Sequence, residues 1–589
     1  MNLPDSLGRI RELSRKESII SSSLVVLIAS LLIVSTYHNN SPTWDEPTHI
    51  AAALELLQSG EYTIQTENPP LSRLPTAIGP FLDGARIEVV PSRFMFALGN
   101  EVLYSDEGFL EHRLTIARLG VLPFFILSAA IIWLWLAETS FLSAAIGVFL
   151  FSTLPMVLAH SGLATTDVPF LALFLLAAYS LRLWIESPNK RTTFFMGFAV
   201  GAAIATKFTA IPFLVTTGFA FLVCWLWFGR ANIRQEILSR ISNLGIAFAV
   251  CLITIWVAYA FDVGKINEFP ESTGLFGQVY GEGVDGLRGF IGNFLIDKTI
   301  PAPGFFHGLL MVAAHNEAGH RAYSLGQFSQ YGFWFYYPLT MFVKTPIPFL
   351  ILLFAGIGSL VYKKNARWWQ WGSFFAMLLV FASLLSSNVN IGGRHAMTIY
   401  PLTIVAITPQ LSNWLQSAGQ RFWGIPISGL TVVTLMLWPA VTVLFTFPAY
   451  LSYSNWFAGK DPGYVVNDSD LDWGQSVYAL RNYLEDINEP VSLFYNGSAR
   501  LCDMGLERIR PYSPDEVPSG LVIISERVFR IMVARVEGGE EQFPIAPVRS
   551  DICDPMSFGQ VIVNAEQLQW LLTEEPITII DKTLRVYRI

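Results

Sequence analysis

The stretch SPTWDEPTHIAA occupies residues 41–52 and begins a few residues after a long apolar run ends. Two adjacent carboxylates, Asp45 and Glu46, stand there at the expected surface of a membrane, and His49 follows one helical turn later. Thr43 could simply cap a helix, because Thr is a good N-cap and acidic side chains stabilise a first turn. The alternative is that these acidic side chains carry out chemistry where the membrane ends.

The rest of the chain is strongly apolar. Of its 589 residues, 52% are hydrophobic and 14% are charged, with a mean hydropathy of +0.45. Soluble domains carry about 25% charged residues, so this composition predicts a polytopic α-helical membrane protein that contacts membrane lipids. No basic patch with interleaved aromatic residues lies outside the membrane flanks, which argues against nucleic acid as a partner. Four cysteines exclude a disulfide-dense scaffold.

Long apolar runs recur along the chain, and a spanning helix needs about 20 such residues, which predicts about eleven spans. They lie at 19–37, 114–137, 141–159, 168–186, 193–206, 208–228, 244–261, 346–361, 369–386, 397–413 and 423–447. The first follows the basic stretch 9–16 and lacks a small-residue cleavage site, so it is predicted to be a retained anchor. Because Lys and Arg are enriched in cytoplasmic loops, the N-terminus and the loops at Lys190, Arg234 and Lys364 are predicted to be cytoplasmic.

The same alternation places the unusual segments outside the cell. They are the loop 38–113, the turn 160–169, the loop 262–345, the segment 386–396 and the region from about residue 450 onward. We therefore divide the chain into a transmembrane catalytic domain, residues 1–449, and an extracytoplasmic domain, residues 450–589.

The C-terminal domain has the pattern of a small α/β fold. The runs VSLFYNG (491–497), LVIISE (521–526) and ITIIDKTLRVYRI (577–589) read as buried or alternating strands. The run WGQSVYALRNYLEDI (473–487) reads as an amphipathic helix that follows an acidic turn.

Two polar patterns in this domain have structural interpretations. Asp468, Asp470 and Asp472 have the spacing of a calcium loop but lack its glycine and its final glutamate, so we predict a turn and a helix cap. Cys502 and Cys553 lie on the oxidising side of the membrane and are predicted to form a disulfide. The two remaining cysteines lie in spans and are expected to be free thiols.

Carboxylates and cations meet on the predicted outer face. The carboxylates are Asp45, Glu46 and Asp167, and the cations are Lys207, Arg394 and Lys344. Singly, each has a structural interpretation: Asp167 could cap the next helix, and Lys207 and Arg394 could be interfacial anchors. The spacing of Glu46 and His49 places two metal-ligand types on one helix face, but a metal site needs further ligands.

Taken together, these groups indicate a reaction. Ionisable residues near the hydrocarbon are costly and tend to be functional. A carboxylate can take a proton from an acceptor hydroxyl, whereas cations can hold a phosphate, and Arg does so with two parallel hydrogen bonds. A base beside a phosphate clamp at a membrane surface favours group transfer from a lipid phosphate.

Several longer motifs carry a family resemblance. They are WDEPTHIAAALELLQSGEYTIQTENPPLSRLP (44–75), HSGLATTDVPFLALFLLAAYSL (160–181), GFAVGAAIATKFTAIPFL (197–214), AGHRAYSLGQFSQYGFWFYYPLTMFVKTPIP (318–348), NVNIGGRHAMTIYP (388–401) and DSDLDWGQSVYALRNYL (468–484). Through them the chain resembles the bacterial members of glycosyltransferase family 39, relatives of protein O-mannosyltransferases and of the lipid A aminoarabinose transferase. Two positions depart from the family pattern, Asn68 where His is expected and Arg321 in the GHRAY string, so neither takes a role from it.

The resemblance implies a GT-C fold, in which many transmembrane helices combine with a large first outer loop. It implies an inverting transfer of a hexose or pentose from a polyprenyl-phosphate donor to a hydroxyl of an unknown glycan, lipid or protein acceptor. The enzyme would lie in the bacterial inner membrane with its C-terminal domain outside. No metal is obligatory in this interpretation, although a divalent metal could replace the cations.

The resemblance also implies roles for individual residues. Asp45 would be the base, Glu46 would orient the acceptor or support Asp45, and Asp167 matches the second acidic position. The residues assigned to the donor phosphate are Lys207, Arg394, His395 and Lys344. The residues assigned to the acceptor side or to support are His49, His320 and Tyr323.

Two other classes remain open on the sequence alone. A transporter or flippase for a lipid-linked solute would also use intramembrane charges, but it favours midplane charges and broken helices in matching halves, which are not found here. A membrane scaffold with a polymer-binding outer domain is the other alternative.

Overall fold

The structure is a computed structural model that describes the chain in several stretches. They are residues 12–89, 95–104, 109–228, 233–269, 294–362, 366–416, 421–422, 425–426, 429–512, 520–549, 551, 553 and 558–589. The helices, numbered in chain order, are α1 (Arg15–Ser35), α2 (Glu46–Ser59), α3 (Leu74–Leu82), α4 (Met95–Tyr104), α5 (Phe109–Leu119), α6 (Leu122–Ala137), α7 (Phe141–Ser152), α8 (Pro155–Ser161), α9 (Asp167–Glu186), α10 (Lys190–Ile204), α11 (Ala210–Phe228), α12 (Ile233–Ala258), α13 (Pro303–Ala318), α14 (Tyr336–Lys344), α15 (Ile347–Tyr362), α16 (Trp368–Leu384), α17 (Ile399–Gln416), α18 (Gly429–Thr446), α19 (Pro462–Val465), α20 (Val477–Leu484) and α21 (Glu526–Glu537).

The predicted spans coincide with helices of the described residues. Five helical segments are long and apolar enough to cross a membrane: α1, the continuous run through α5 and α6, α9, α11 and α18. The total is seven if the bent pairs α7–α8 and α14–α15 each count as one span. The other predicted spans coincide with α10, α12, α16 and α17. The chain is thus an integral membrane protein of polytopic α-helical type, and eleven crossings stay a prediction.

The first long loop, residues 38–113, contains three short helices in its described part, α2, α3 and α4. Helix α2 is rich in Ala and Leu, which favour helices, and it ends at Gly60 in the left-handed conformation (φ 76°). Helix α4 packs closely against α2. A Cβ atom at Gly99 of α4 would lie only 2.3 Å from the carbonyl of Pro47 in α2. The loop is therefore a packed layer rather than an open connection.

The C-terminal region forms the predicted α/β unit. Its strands are β7 (Val491–Phe494), β8 (Arg510–Pro511), β9 (Leu521–Ser525), β10 (Gln542–Arg549), β11 (Phe558–Asn564), β12 (Thr578–Ile580) and β13 (Leu584–Arg588). Five of them make one sheet in the order β12–β13–β9–β7–β8, in which β7 is parallel to β8 and β9 while β13 is antiparallel to its neighbours. Strands β10 and β11 make a separate hairpin. All three predicted strand patterns lie in the five-stranded sheet.

Short two-stranded pairings complete the described strands. They are β1 (Val263–Gly264) with β2 (Ile300–Pro301), β3 (Ala322–Ser324) with β4 (Gln327–Ser329), and β5 (Arg421–Phe422) with β6 (Ile425–Pro426).

The C-terminal unit shares a hydrophobic core with the first long loop. Apolar residues of α2 and α4 form one buried cluster with residues of α20, β7, β9 and β13. The side chain of Asn100 in α4 also donates a 2.7 Å hydrogen bond to the carbonyl of Ser498. The boundary predicted at residue 450 therefore does not separate two independent hydrophobic cores.

The cysteine predictions are confirmed. Cys502 and Cys553 are joined by a disulfide, whereas Cys224 and Cys251 are buried free thiols.

Candidate active site

Four of the predicted residues form one charged cluster. Nζ of Lys207 lies 2.8 Å from Oδ1 of Asp167, and Nη1 of Arg394 lies 3.1 Å from Oδ2 of Asp45 and 3.6 Å from Oδ2 of Asp167. Two carboxylates thus meet two cations, so their charges balance. The side chain of Asp45 is 26% exposed and that of Asp167 is 1% exposed, which makes Asp45 the more accessible carboxylate.

Element ends and loops bring these residues together. Asp45 occupies the N-cap position of α2 but makes no side-chain capping bond, and Asp167 is the first residue of α9. Lys207 lies between α10 and α11, and Arg394 lies in the 3₁₀ turn Gly393–Ala396. Because neither carboxylate caps its helix through the side chain, both are available to the cations.

Among the described residues, one edge of the guanidinium of Arg394 has no hydrogen-bond partner. Its Nε is buried and has no hydrogen-bond partner, and none is found for Nη2 among the described residues. A buried donor without an acceptor is costly in a native protein and calls for an explanation. Nε and Nη2 together are the edge that binds a phosphate or carboxylate through two parallel hydrogen bonds.

Glu46 has a different environment from its neighbour Asp45. Its two oxygens accept 2.8 Å hydrogen bonds from Nε and Nη2 of Arg118, and both residues are fully buried. The backbone N–H groups of Ala164 and Thr43 also donate to this carboxylate, at 2.7 and 2.8 Å. The structure thus places Glu46 in a supporting position, fully occupied by protein donors.

Arg118 also binds backbone carbonyls of the segment that precedes Glu46. Its Nη1 donates to the carbonyls of Tyr37 (2.9 Å) and Asn40 (2.8 Å), and its Nη2 donates to that of Ser41 (3.1 Å). The segment that leads from the first span to Asp45 is therefore held by one buried cation.

His49 is held by a second buried arginine. Nε of Arg73 donates a 3.0 Å hydrogen bond to Nδ1 of His49, and Nη1 donates to the hydroxyl of Tyr62 at 2.8 Å. Because Arg is always protonated, Nδ1 must be the acceptor, which puts the ring proton on Nε2. Burial lowers the pKa of His49 well below its usual value, and Arg73 acts in the same direction, so this imidazole is neutral.

Among the remaining predicted residues, His395 follows Arg394 in the same 3₁₀ turn, whereas Lys344 and His320 have other hydrogen-bond partners. The ammonium of Lys344 donates to the carbonyls of Leu451, at 2.8 Å, and Asp470. Nδ1 of His320 is 3.1 Å from Nε2 of His315, and Tyr323 lies in strand β3.

The pKa values of the predicted site residues are shifted in different directions. Burial raises the pKa of Asp45 above its usual value, and the guanidinium of Arg394 opposes this shift. Burial lowers the pKa of His395, which the positive charges of Lys207 and Arg394 also lower. Burial also lowers the pKa of His320, to about 4, and raises that of Tyr323 to about 12. A buried carboxyl with a raised pKa is suited to accept a proton near neutrality.

Metal-ligand residues do not converge in the described part of the chain, which contains no group of three or more His, Cys, Asp or Glu side chains placed to hold an ion. Glu46 binds Arg118 while His49 accepts from Arg73, so the two members of the ExxH pair have different partners. That no metal is obligatory stays a prediction.

Three residues at this site were not predicted from the sequence. Arg118 and Arg73 hold Glu46 and His49, and the ring of Trp473 lies 4.0 Å beneath the guanidinium carbon of Arg394. A lone Arg inside an apolar span was the available signal for Arg118, because such residues tend to be paired. Trp473 gave no comparable signal, since an aromatic residue at the start of an amphipathic helix is ordinary.

The model of the family described as dolichyl-phosphate-mannose-protein mannosyltransferase matches residues 110–259, which include Arg118, Asp167 and Lys207. No curated protein matches the chain.

Solved structures resemble the fold loosely. ArnT of Cupriavidus metallidurans bound to undecaprenyl phosphate is 15% identical with a TM-score of 0.43, over 73% of this chain and 70% of that one. The protein O-mannosyltransferase Pmt1-Pmt2 complex of S. cerevisiae bound to the sugar donor is 15% identical with a TM-score of 0.33, over 42% and 34%. The oligosaccharyltransferase AglB of Archaeoglobus fulgidus, in complex with an inhibitory peptide and a dolichol-phosphate, is 14% identical with a TM-score of 0.42, over 95% and 75%. Likenesses this loose say nothing about the activity of the chain.

The match to this mannosyltransferase family covers residues 110–259, about a quarter of the chain, and shows a similarity over that stretch. It agrees with the resemblance that the sequence motifs indicate.

Proposed function

We propose that the protein transfers a sugar from a polyprenyl-phosphate donor to an acceptor hydroxyl at the outer face of the bacterial inner membrane. The observation that carries this proposal is the free Nε–Nη2 edge of Arg394, which lies beside an accessible carboxylate, Asp45, and a second cation, Lys207. The free edge of Arg394 and the ammonium of Lys207 suit a phosphate, and the carboxylate of Asp45 suits a hydroxyl nucleophile.

In the proposed reaction, the acceptor oxygen attacks the anomeric carbon while the bond from that carbon to the phosphate oxygen breaks. Asp45 takes the acceptor proton, and the bonding electron pair leaves on the phosphate. The sugar inverts its configuration in this single displacement, and polyprenyl phosphate is released. Its transition state is oxocarbenium-like, as in glycoside hydrolysis.

Negative charge grows on the leaving phosphate, because a diester becomes a monoester. Arg394 and Lys207 bind that charge more tightly as it develops, and such differential binding raises the rate. Asp167 holds Lys207 in place at 2.8 Å. Glu46 is already saturated by Arg118 and backbone donors, so it supports the backbone at Asp45 and takes no proton itself.

The experiment uses lipids from a strain that lacks the gene. If the protein consumes a lipid-linked sugar, a polyprenyl-phosphate sugar accumulates in the deletion strain, and mass spectrometry identifies it. Purified full-length protein added to that lipid extract, with the membrane fraction as acceptor, is expected to release polyprenyl phosphate. A transporter would move the lipid-linked sugar across a vesicle membrane intact and release nothing, which would contradict the proposal.

A further inference from the structure

The acidic turn of the C-terminal domain lies against the loop that carries Arg394. We propose that this segment, DSDLDWGQS at residues 468–476, is a positioning element of the active site, in which Trp473 and Asp470 orient the guanidinium of Arg394 toward the donor phosphate. This proposal rests on the function proposed above.

Trp473 restrains the plane of the guanidinium. Its ring centroid lies 4.0 Å from the guanidinium carbon of Arg394, and both side chains are largely buried. His160 packs against the same indole in an edge-on arrangement, with the two ring centroids 6.0 Å apart. A cation stacked on an aromatic face keeps its in-plane N–H groups free. Trp473 can therefore hold Arg394 without occupying the donors that would bind a phosphate.

Asp470 restrains the backbone that leads to Arg394. The N–H of Gly393 donates to both oxygens of this carboxylate, at 2.9 and 3.0 Å, and the hydroxyl of Tyr336 donates to one of them at 3.3 Å. Ser469 donates its hydroxyl proton to the carbonyl of Ile391. The loop before Arg394 is thus bound by two consecutive side chains of the turn.

Close approach of the two segments depends on a glycine. Gly392 has a φ of 121°, and a Cβ atom there would lie 2.1 Å from Oγ of Ser469. Only glycine meets both conditions at this position. From the other side, Lys344 donates to the carbonyls of Asp470 and Leu451, which gives this predicted donor-binding cation a positioning role instead.

The same segment also binds the irregular stretch that precedes Asp45. The N–H of Trp44 donates to the carbonyl of Trp473 at 3.0 Å, and the N–H of Ser41 donates to the carbonyl of Gln475 at 2.9 Å. Trp473 therefore contacts both segments of the site. Its carbonyl accepts a hydrogen bond from Trp44, the residue before Asp45, and its ring stacks on Arg394. This accounts for a catalytic centre whose parts come from both domains.

The test measures binding of undecaprenyl phosphate, together with kcat and the donor KM, on full-length variants. Trp473→Leu removes the stacking face and is expected to weaken binding of undecaprenyl phosphate roughly 3- to 30-fold. Trp473→Phe keeps an aromatic face and should recover most of that loss. Trp456→Leu is the matched control, because Trp456 is 85% exposed, and it should bind as the parent does.

A double-mutant cycle separates positioning from general packing. If Trp473 acts through Arg394, the combination of Trp473→Leu with Arg394→Lys costs little more than the larger single change. Asp470→Asn, which keeps the side-chain shape, should show the same non-additivity if Trp473→Leu proves unstable. Additive losses in both cycles, or a Trp473→Leu variant that binds normally, would overturn the inference while leaving the proposed function intact. Parent protein that neither binds undecaprenyl phosphate nor releases it would overturn both.

Discussion

Nη1 of Arg394 donates a 3.1 Å hydrogen bond to Oδ2 of Asp45, although 349 positions separate the two residues along the chain. The contact joins the proposed phosphate clamp to the proposed base. It also requires the loop that carries Asp45 and the loop before α17 to lie on the same side of the membrane. The contact of Trp473 with Arg394 extends this requirement to the C-terminal domain.

That requirement can be tested by topology mapping. Reporter fusions after Lys190, Arg234 and Lys364 should report the cytoplasm, because Lys and Arg are enriched in cytoplasmic loops. Fusions after Asp83 and Ser469 should report the outside. A cytoplasmic signal after Ser469 would contradict the account, since it would separate the C-terminal domain from Asp45.

The phosphate clamp predicts a specific dependence on donor concentration. Arg394→Lys keeps the charge but loses the two-pronged geometry, and the loss of one charge-assisted hydrogen bond is expected to raise the donor KM about 10- to 150-fold. Lys207→Ala should act in the same direction, and the double variant should be non-additive because both residues bind one group. An unchanged donor KM in both single variants would leave them as interfacial anchors.

The pH profile should report the ionisation of Asp45. The base must be deprotonated, and burial raises its pKa, so kcat/KM should fall as the pH drops through a value above that of an ordinary carboxyl. Arg394 opposes the shift by favouring the carboxylate form. Arg394→Gln should therefore move the acid limb to higher pH, and a limb that stays in place would argue against Asp45 as the titrating group.

The buried pair of Glu46 and Arg118 predicts a loss of stability rather than a direct effect on chemistry. Glu46→Gln leaves Arg118 buried without its carboxylate, which costs about 3–5 kcal/mol in comparable cases. Thermal unfolding in detergent should show a clearly lower midpoint. Glu489→Gln serves as the control, because Glu489 (42% exposed) pairs at 2.9 Å with Arg588 (58% exposed), and such surface pairs contribute about 0–1 kcal/mol. Equal midpoints for the two variants would be incompatible with this role.

Much of the fold was predictable because hydrophobic patterns act locally. Apolar length predicts where the spans lie, and short apolar runs of buried or alternating pattern predict the strands at Val491–Phe494 and Leu521–Ser525. The disulfide was predictable as well, since Cys502 and Cys553 are the two cysteines outside the spans.

The assignment of roles within the site was less predictable. Asp45 and Glu46 are neighbours in sequence, but consecutive residues at the start of a helix point in different directions, so one contacts Arg394 and the other Arg118. Lys344 has the charge expected of a phosphate ligand, and two of the three donors of its ammonium bind backbone carbonyls. Such partners come from distant segments, which residue type and local spacing do not encode.

The most direct test of the central claim is the release of polyprenyl phosphate by purified full-length protein from the lipid extract of the deletion strain. Asp45→Asn keeps the shape of the side chain but removes the proton acceptor, and loss of a general base typically costs about 10²–10⁴-fold. Turnover should fall by that factor while binding of undecaprenyl phosphate is largely kept, and Glu61→Gln, an exposed carboxylate of the same loop, should match the parent. Near-normal turnover in Asp45→Asn would contradict the account.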